Sequence, residues 1–167
     1  ENAYRDVNIA FANELSMICG ELGVDIWELI ELSNRHPRVN VLQPGPGVGG
    51  HCIAVDPWFL VDSAPHLASL IRTGREVNNN KSEYILQMAM KAYGEVSGGC
   101  IACLGLSFKA DIDDLRESPS LAICERLATS SNVSILVVEP HISELPEILS
   151  KVGSELVDLE EAIDRSE

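Results

Sequence analysis

The sequence predicts an α+β chain: an all-α first part, a long connecting helix, then a partial parallel α/β sheet. Three observations predict it. Apolar residues recur at helical spacing through residues 3–33 and again through 65–96. A loop dense in Pro and Gly separates those two stretches. After residue 99, short apolar runs alternate with helical stretches in the order strand, helix, strand, helix, strand. The expected division is a helical unit over residues 1–96 and an α/β unit over residues 97–167.

The elements follow in order. Val7, Ala10, Phe11, Leu15 and Ile18 share one helical face, and Ile26, Leu29, Ile30 and Leu32 form a second. Gly20 and Gly23 mark a break, so two helices joined by a short turn are expected. From Arg35 to Pro57 the pattern collapses into Pro37, Pro44, Gly45, Pro46, Gly47, Gly49 and Gly50, a loop both rigid and open at its backbone. Helical spacing returns from Pro65 to Val96, as one long helix or two in line. Its Leu67, Leu70, Ile71, Val77 and Met88 are too many to shield within so short a chain, which points to a homodimer. Gly98-Gly99 punctuates, and Cys100 to Phe108 reads as a buried strand. Pro119 to Leu127 reads as a helix capped by Ser118, with Pro119 in its first turn. Val133 to Val138 reads as a second buried strand, ended by Glu139-Pro140. A helix around Ile142 to Lys151, a short strand at Leu156-Val157 and a helix beginning in Leu159 to Glu167 complete the pattern. The sheet is short for a doubly wound domain and the chain opens on Glu1, so further residues are expected on both sides.

Composition narrows the function classes. Against 12 basic residues stand 26 acidic ones, a formal charge of −14, which would repel a nucleic-acid backbone. No apolar run approaches the roughly 20 residues of a membrane helix, and no signal peptide is visible at the start. Five cysteines form an odd set without metal-type spacing, so no metal site is expected and a reduced, cytoplasmic chain fits best. Cys100-x-x-Cys103 lies inside an apolar run and reads as buried strand, since redox pairs belong at a helix start.

The most informative stretch runs from Gly45 through Cys52 and Asp56 to Phe59. Its glycines let backbone amides approach a ligand closely, and consecutive bare amides make anion-binding concavities. On a helical turn Cys52 and Asp56 would share one face. A thiol flanked by free amides at a helix start is a good nucleophile, and a neighbouring carboxylate can position water or accept a proton. The residues alone leave open a plain Gly-rich turn with a buried cysteine.

Three separated motifs in one order carry a family resemblance. They are Asn2-Ala-Tyr-Arg-Asp-Val-Asn8, then Arg35-His-Pro-Arg-Val-Asn40 with Gln43 to Cys52, then Phe108-Lys109 with Asp113-Asp114-Leu-Arg116-Glu-Ser-Pro119. The chain resembles the central and C-terminal domains of the UDP-glucose/GDP-mannose dehydrogenase family. Its cysteine loop is similar to the branch that acts on UDP-N-acetylmannosamine. The resemblance implies a helical central dimerisation domain and part of a Rossmann-like UDP-binding domain. It implies a UDP-sugar substrate whose C6 alcohol is oxidised to a carboxylate with two NAD+, through a thiohemiacetal and a thioester on cysteine. The family's NAD-binding domain and catalytic lysine, upstream of its asparagine, have no counterpart in these residues, so the chain by itself is expected to be inactive.

Residue by residue, the resemblance makes Cys52 the nucleophile, Asp56 the carboxylate that handles water or a proton, and Asn2 the partner of the reacting oxygen. Arg5, His36, Arg38, Gly45, Gly47, Gly49, Phe108 and Lys109 are implied in substrate binding, and Arg116 in reaching the cofactor. Ordinary roles stand beside these: a helix cap for Asn2, a surface ion pair for Arg5, and a salt bridge to Asp113 or Asp114 for Arg116. His51, next to the nucleophile, is expected to be structural, since helical neighbours point about 100° apart. His66 and His141 are expected at the surface. Alternative functions are a dehydrogenase for UDP-N-acetylglucosamine, UDP-glucose or GDP-mannose, and a non-catalytic dimeric assembly module.

Overall fold

The computed structural model describes residues 1–94, 99–130 and 133–166. These form two compact units, Glu1–Lys81 and Ser82–Glu167. The expected boundary at residues 96 and 97, and the punctuation at Gly98, lie outside the described residues.

The first unit is helical, with α1 Asn2–Leu22, α2 Ile26–Asn34, α3 Asp56–Ser63 and the first half of α4 Ser69–Gly94. Helix α1 stops where Gly23 turns left-handed at φ 68°, its amide donating to the Cys19 carbonyl. Asp25 then caps α2, accepting from the amides of Trp27 and Glu28 at 2.7 and 3.2 Å. Helix α3 corrects the loop reading that ran to Pro57. Pro57 occupies the first turn of this helix, where a missing N–H costs nothing, and is itself buried. Helix α4 begins at Ser69 rather than Pro65, and the expected end at Val96 lies outside the described residues.

The inner face of α4 is the main surprise. Leu67 and Leu70 of the expected apolar stripe are 75% and 67% exposed, and Ile71 and Val77 are only half-buried. Arg75, Asn78 and Lys81 are buried instead. Helix α1 approaches that face closely at Gly74, where an added Cβ would stand 3.2 Å from the Val7 side chain. With Gly74 at the contact, the side chains beside it come within hydrogen-bonding reach of α1.

The second unit holds a three-stranded parallel sheet in the order β1-β2-β3, with β1 Cys100–Leu104, β2 Ser134–Val138 and β3 Glu155–Leu156. Helix α5 Pro119–Thr129, α6 Glu147–Lys151 and α7 Leu159–Arg165 complete it. Its core gathers Leu86 of α4 with Leu106, Ile123, Cys124, Leu127, Ile135, Val137 and Leu149. Strand β1 is shorter than the expected run to Phe108, because Gly105 at φ 88° turns the chain and delivers Leu106 into the core. It is also half-buried rather than buried, with Leu104 exposed, since it pairs on one side only among the described residues. Cys103 nonetheless shares a hydrogen bond with the Cys124 thiol, and that bond together with burial pushes the Cys124 thiol up. Helix α6 starts at Glu147, not Ile142, because Pro146 precedes it as its cap. Ser118 caps α5 as expected, its hydroxyl accepting from the Leu121 amide and donating to the Leu106 carbonyl at 2.5 Å.

Candidate functional site

In the first unit the glycine loop is tied down at defined points. The Asn34 side chain pairs with both backbone groups of Val41, accepting from its amide at 2.7 Å and donating to its carbonyl at 3.0 Å. Gly45 donates its amide to Asn13 Oδ1 at 2.8 Å. Gly47 at φ 148° and Gly50 at φ 81° adopt backbone that side chains resist, and Gly50 is buried. The chain then enters a turn in which the Cys52 carbonyl accepts from the amides of Val55 and Asp56, at 3.1 and 2.8 Å. That turn feeds directly into α3.

Cys52 and Asp56 therefore lie one helical turn apart, as expected. Cys52 is exposed and Asp56 half-buried. Asn2, in the first turn of α1, donates its Nδ2 to Asp56 Oδ2 at 2.6 Å. Asn2 and Asp56 are thus joined through their side chains, and Cys52 is joined to Asp56 through its backbone carbonyl. Asn2 is not the helix cap, a position held by Glu1. His51 is exposed beside Cys52.

Arg5 and Arg38 line one groove of about 480 Å³, together with Tyr4, Asn8, Phe11 and the chain from Val39 to Leu42. Arg5 also stands 3.7 Å from Glu1, an exposed pair of little energetic weight. The Arg38 amide donates to His36 Nδ1 at 3.3 Å, so that imidazole shapes the loop backbone. Two guanidiniums on one open groove suit a phosphate or diphosphate.

In the second unit, a pocket of about 320 Å³ opens at the carboxyl ends of β1 and β2, where parallel sheets bind ligands. Lys109 is exposed on its wall beside Ser107, Asp111, Ser120 and His141. Phe108 is half-buried and does not line it. Arg116 reaches Asp114 instead of open space, donating Nη2 to Oδ2 at 2.6 Å and Nε to Oδ1 at 2.9 Å. The ordinary reading of Arg116 is the conformation observed.

Sequence reasoning missed two sets of residues. The first is a buried polar chain across α1 and α4. Asn13 Nδ2 donates to Asn78 Oδ1 at 2.8 Å, Asn78 Nδ2 to Asp6 Oδ1 at 2.8 Å, and Arg75 Nη1 to Asp6 Oδ1 at 2.6 Å. One signal could have found it: Asn78-Asn79-Asn80 places three weak helix formers inside a helix, an unlikely choice for a plain surface. The second is Glu139, read only as a strand terminator. It is buried and accepts from the amides of Leu106, Ser107 and His141 at 2.8, 3.1 and 3.3 Å. Burial works against its charge, yet these amides together hold its carboxyl below the usual carboxylate range. It fixes both loops bordering the Lys109 pocket.

Among the described residues no group of three His, Cys, Asp or Glu could hold a metal, and no helix is long and apolar enough to cross a membrane.

Residues 1–80 match the central domain of the UDP-glucose/GDP-mannose dehydrogenase family, and residues 102–167 match its UDP binding domain. An NDP-N-acetyl-D-galactosaminuronic acid dehydrogenase of Ralstonia nicotianae is 60% identical over the whole chain, which spans 39% of that protein. A UDP-N-acetyl-D-mannosamine dehydrogenase of Campylobacter jejuni is 56% identical over the whole chain, which spans 41% of it. Among solved structures, a UDP-N-acetyl-mannosamine dehydrogenase of S. aureus matches 87% of the chain and 34% of its own, at 47% identity and a TM-score of 0.78. The chain thus spans about two fifths of the length of these curated relatives.

Proposed function

This chain belongs to the UDP-glucose/GDP-mannose dehydrogenase family, and on that premise we propose that it carries the cysteine and UDP-binding portions of an NAD-dependent UDP-sugar 6-dehydrogenase. The observation that carries the reading is the turn from Cys52 to Asp56, with the Asp56 carboxylate held by Asn2 at 2.6 Å. The Cys52 thiol adds to the C6 aldehyde, forming a carbon–sulfur bond and a thiohemiacetal whose oxygen Asn2 stabilises. After loss of the second hydride the carbon is a thioester. Asp56 orients the water that attacks it, and the carbon–sulfur bond breaks to release the uronate and the thiolate.

NAD supplies the hydride acceptor in the whole protein. The described residues do not themselves form a dinucleotide cradle: the turn after β1 carries only Gly105, and the Gly45–Gly50 run follows no strand. Arg116 is assigned to cofactor binding, once released from Asp114. In substrate binding, Arg5 and Arg38 engage anionic oxygens on their groove, His36 holds the Arg38 backbone beside it, and Gly45, Gly47 and Gly49 are assigned to the loop that follows. Phe108 and Lys109 serve the nucleotide in the UDP-binding unit. The compartment we assign is the cytoplasm, where a thiol nucleophile stays reduced.

The proposed substrate is UDP-N-acetylmannosamine. A second reading, the N-acetylgalactosamine sugar, is favoured by the 60% identity to the Ralstonia protein. Turnover of a UDP-sugar panel by the whole protein tests both. The proposed substrate should give two NADH and one uronate per sugar, at a kcat/KM at least tenfold above UDP-glucose. Preference for UDP-glucose would sink both readings.

The exposed Leu67 and Leu70, with Tyr4, Phe11 and Phe59, support a homodimer built on the helical unit. Light scattering of the chain at micromolar concentration should give twice the monomer mass; a monomer alone contradicts it. A purely structural module would bury Cys52, and this thiol is exposed.

A further inference from the structure

We propose that α1 clamps the catalytic loop at both ends, and that Asn13 is a positioning residue for Cys52. The proposal rests on the dehydrogenase reading of the Cys52 site. Asn2 and Asn13 lie eleven residues apart, close to three helical turns, so they share one face of α1. Asn2 holds Asp56 and Asn13 holds Gly45. Between those two anchors lie the glycine turns and Cys52. One rigid helix thereby fixes both ends of the twelve-residue segment Gly45–Asp56.

The Asn13 anchor has a built-in orientation. A free amide side chain could present either its oxygen or its NH2 to Gly45. Asn13 cannot, because Asn78 Oδ1 takes its NH2, leaving Oδ1 for the Gly45 amide. Asn78 is locked in turn, its own NH2 held by the Asp6 carbonyl and carboxylate at 3.0 and 2.8 Å. Arg75 completes the relay at 2.6 Å. All four side chains are 3% exposed or less, so water offers no substitute partner.

Stability alone does not account for this arrangement. Asp6 Oδ2 and Arg75 Nε are buried without hydrogen-bond partners among the described residues. Buried ion pairs of this kind seldom outperform apolar packing of the same volume. What the relay achieves and apolar packing cannot is a directional acceptor aimed at one loop amide. Loops that carry a nucleophile need such support, since small displacements from reacting geometry cost large factors in rate.

The test uses Asn13→Ala, Gly45→Pro, which removes the donating amide and also restrains the backbone at that position, and the double variant. In the whole protein, Asn13→Ala should lower kcat for uronate formation at least tenfold with KM for the UDP-sugar changed less than threefold. The double variant should be no worse than the more impaired single one, because both break one hydrogen bond. In Asn13→Ala the Gly45 amide should also exchange with deuterium at least tenfold faster. Multiplicative losses in kcat, or an unchanged kcat with unfolding at lower temperature, would overturn the clamp. Should Asn13→Ala fail to fold, Gly45→Pro alone decides: kcat within twofold of the unmodified protein overturns the proposal. Each of these failures leaves the dehydrogenase reading intact, because that reading stands or falls on Cys52 itself.

Discussion

In the whole protein, Cys52→Ala should abolish uronate formation while leaving UDP-sugar binding nearly intact. The first oxidation of a primary alcohol needs a base and a hydride acceptor, and no covalent bond to the protein. The second cannot proceed directly on a free aldehyde, because losing hydride from that trigonal carbon would leave an acylium cation, whereas the oxygen of a tetrahedral adduct expels the hydride as its C=O re-forms. In the proposed mechanism the thiol supplies this adduct, and a thioester is labile enough for water to open. Alanine removes the adduct and nothing that contacts the nucleotide. At most one hydride per sugar is then transferred, with aldehyde held or slowly released. Cys52→Ser should fall between the two, since a hydroxyl is the poorer nucleophile and an ester hydrolyses more slowly than a thioester. NADH formed per sugar consumed, with mass spectrometry of the protein, reads the result. Two NADH and free uronate from Cys52→Ala would show that Cys52 is not the nucleophile.

How much of this was legible beforehand depends on the kind of information each residue carries. Apolar periodicity located α1, α2 and most of α4, because helical spacing is written in residue type alone, although the stripe it marks on α4 is not the face that is buried. The strand–helix alternation located β1, α5 and β2 for the same reason, and Ser118 marked its helix correctly as a cap. The cysteine loop stood out because Gly47 and Gly50 occupy backbone that few other residues tolerate. What stayed hidden depended on partners distant in sequence. Nothing local distinguishes Asn13 from a surface asparagine; its partner Asn78 is 65 residues away. Arg75 and Asp6 each look like solvent-facing charges until Gly74 lets the helices approach. Helix α3 stayed hidden because Pro57, the end of the expected Pro- and Gly-rich loop, is a first-turn residue of the helix. Glu139 was missed because the three amides it binds belong to two different loops.

Arg75→Met should destabilise the helical unit by about 3–5 kcal/mol, the loss typical of removing one partner from a buried ion pair. Arg75 is 3% exposed and donates to Asp6 Oδ1 at 2.6 Å and to Asn79 Oδ1 at 2.5 Å. Methionine fills much the same volume, so the loss arises from the Asp6 carboxylate, fully buried and left with only the Asn78 amide opposite its charge. The double variant Asp6→Asn with Arg75→Met removes both charges and should recover at least roughly half of that loss. Arg35→Ala, which breaks an exposed pair with Glu31, should change little by comparison. The two tryptophans, Trp27 and Trp58, both lie in the helical unit, so their fluorescence during urea unfolding reports on it selectively. A midpoint for Arg75→Met equal to that of the unmodified chain would mean that Asp6 finds water or another partner. The relay to Asn13 would then lose the locked orientation that keeps its oxygen on Gly45.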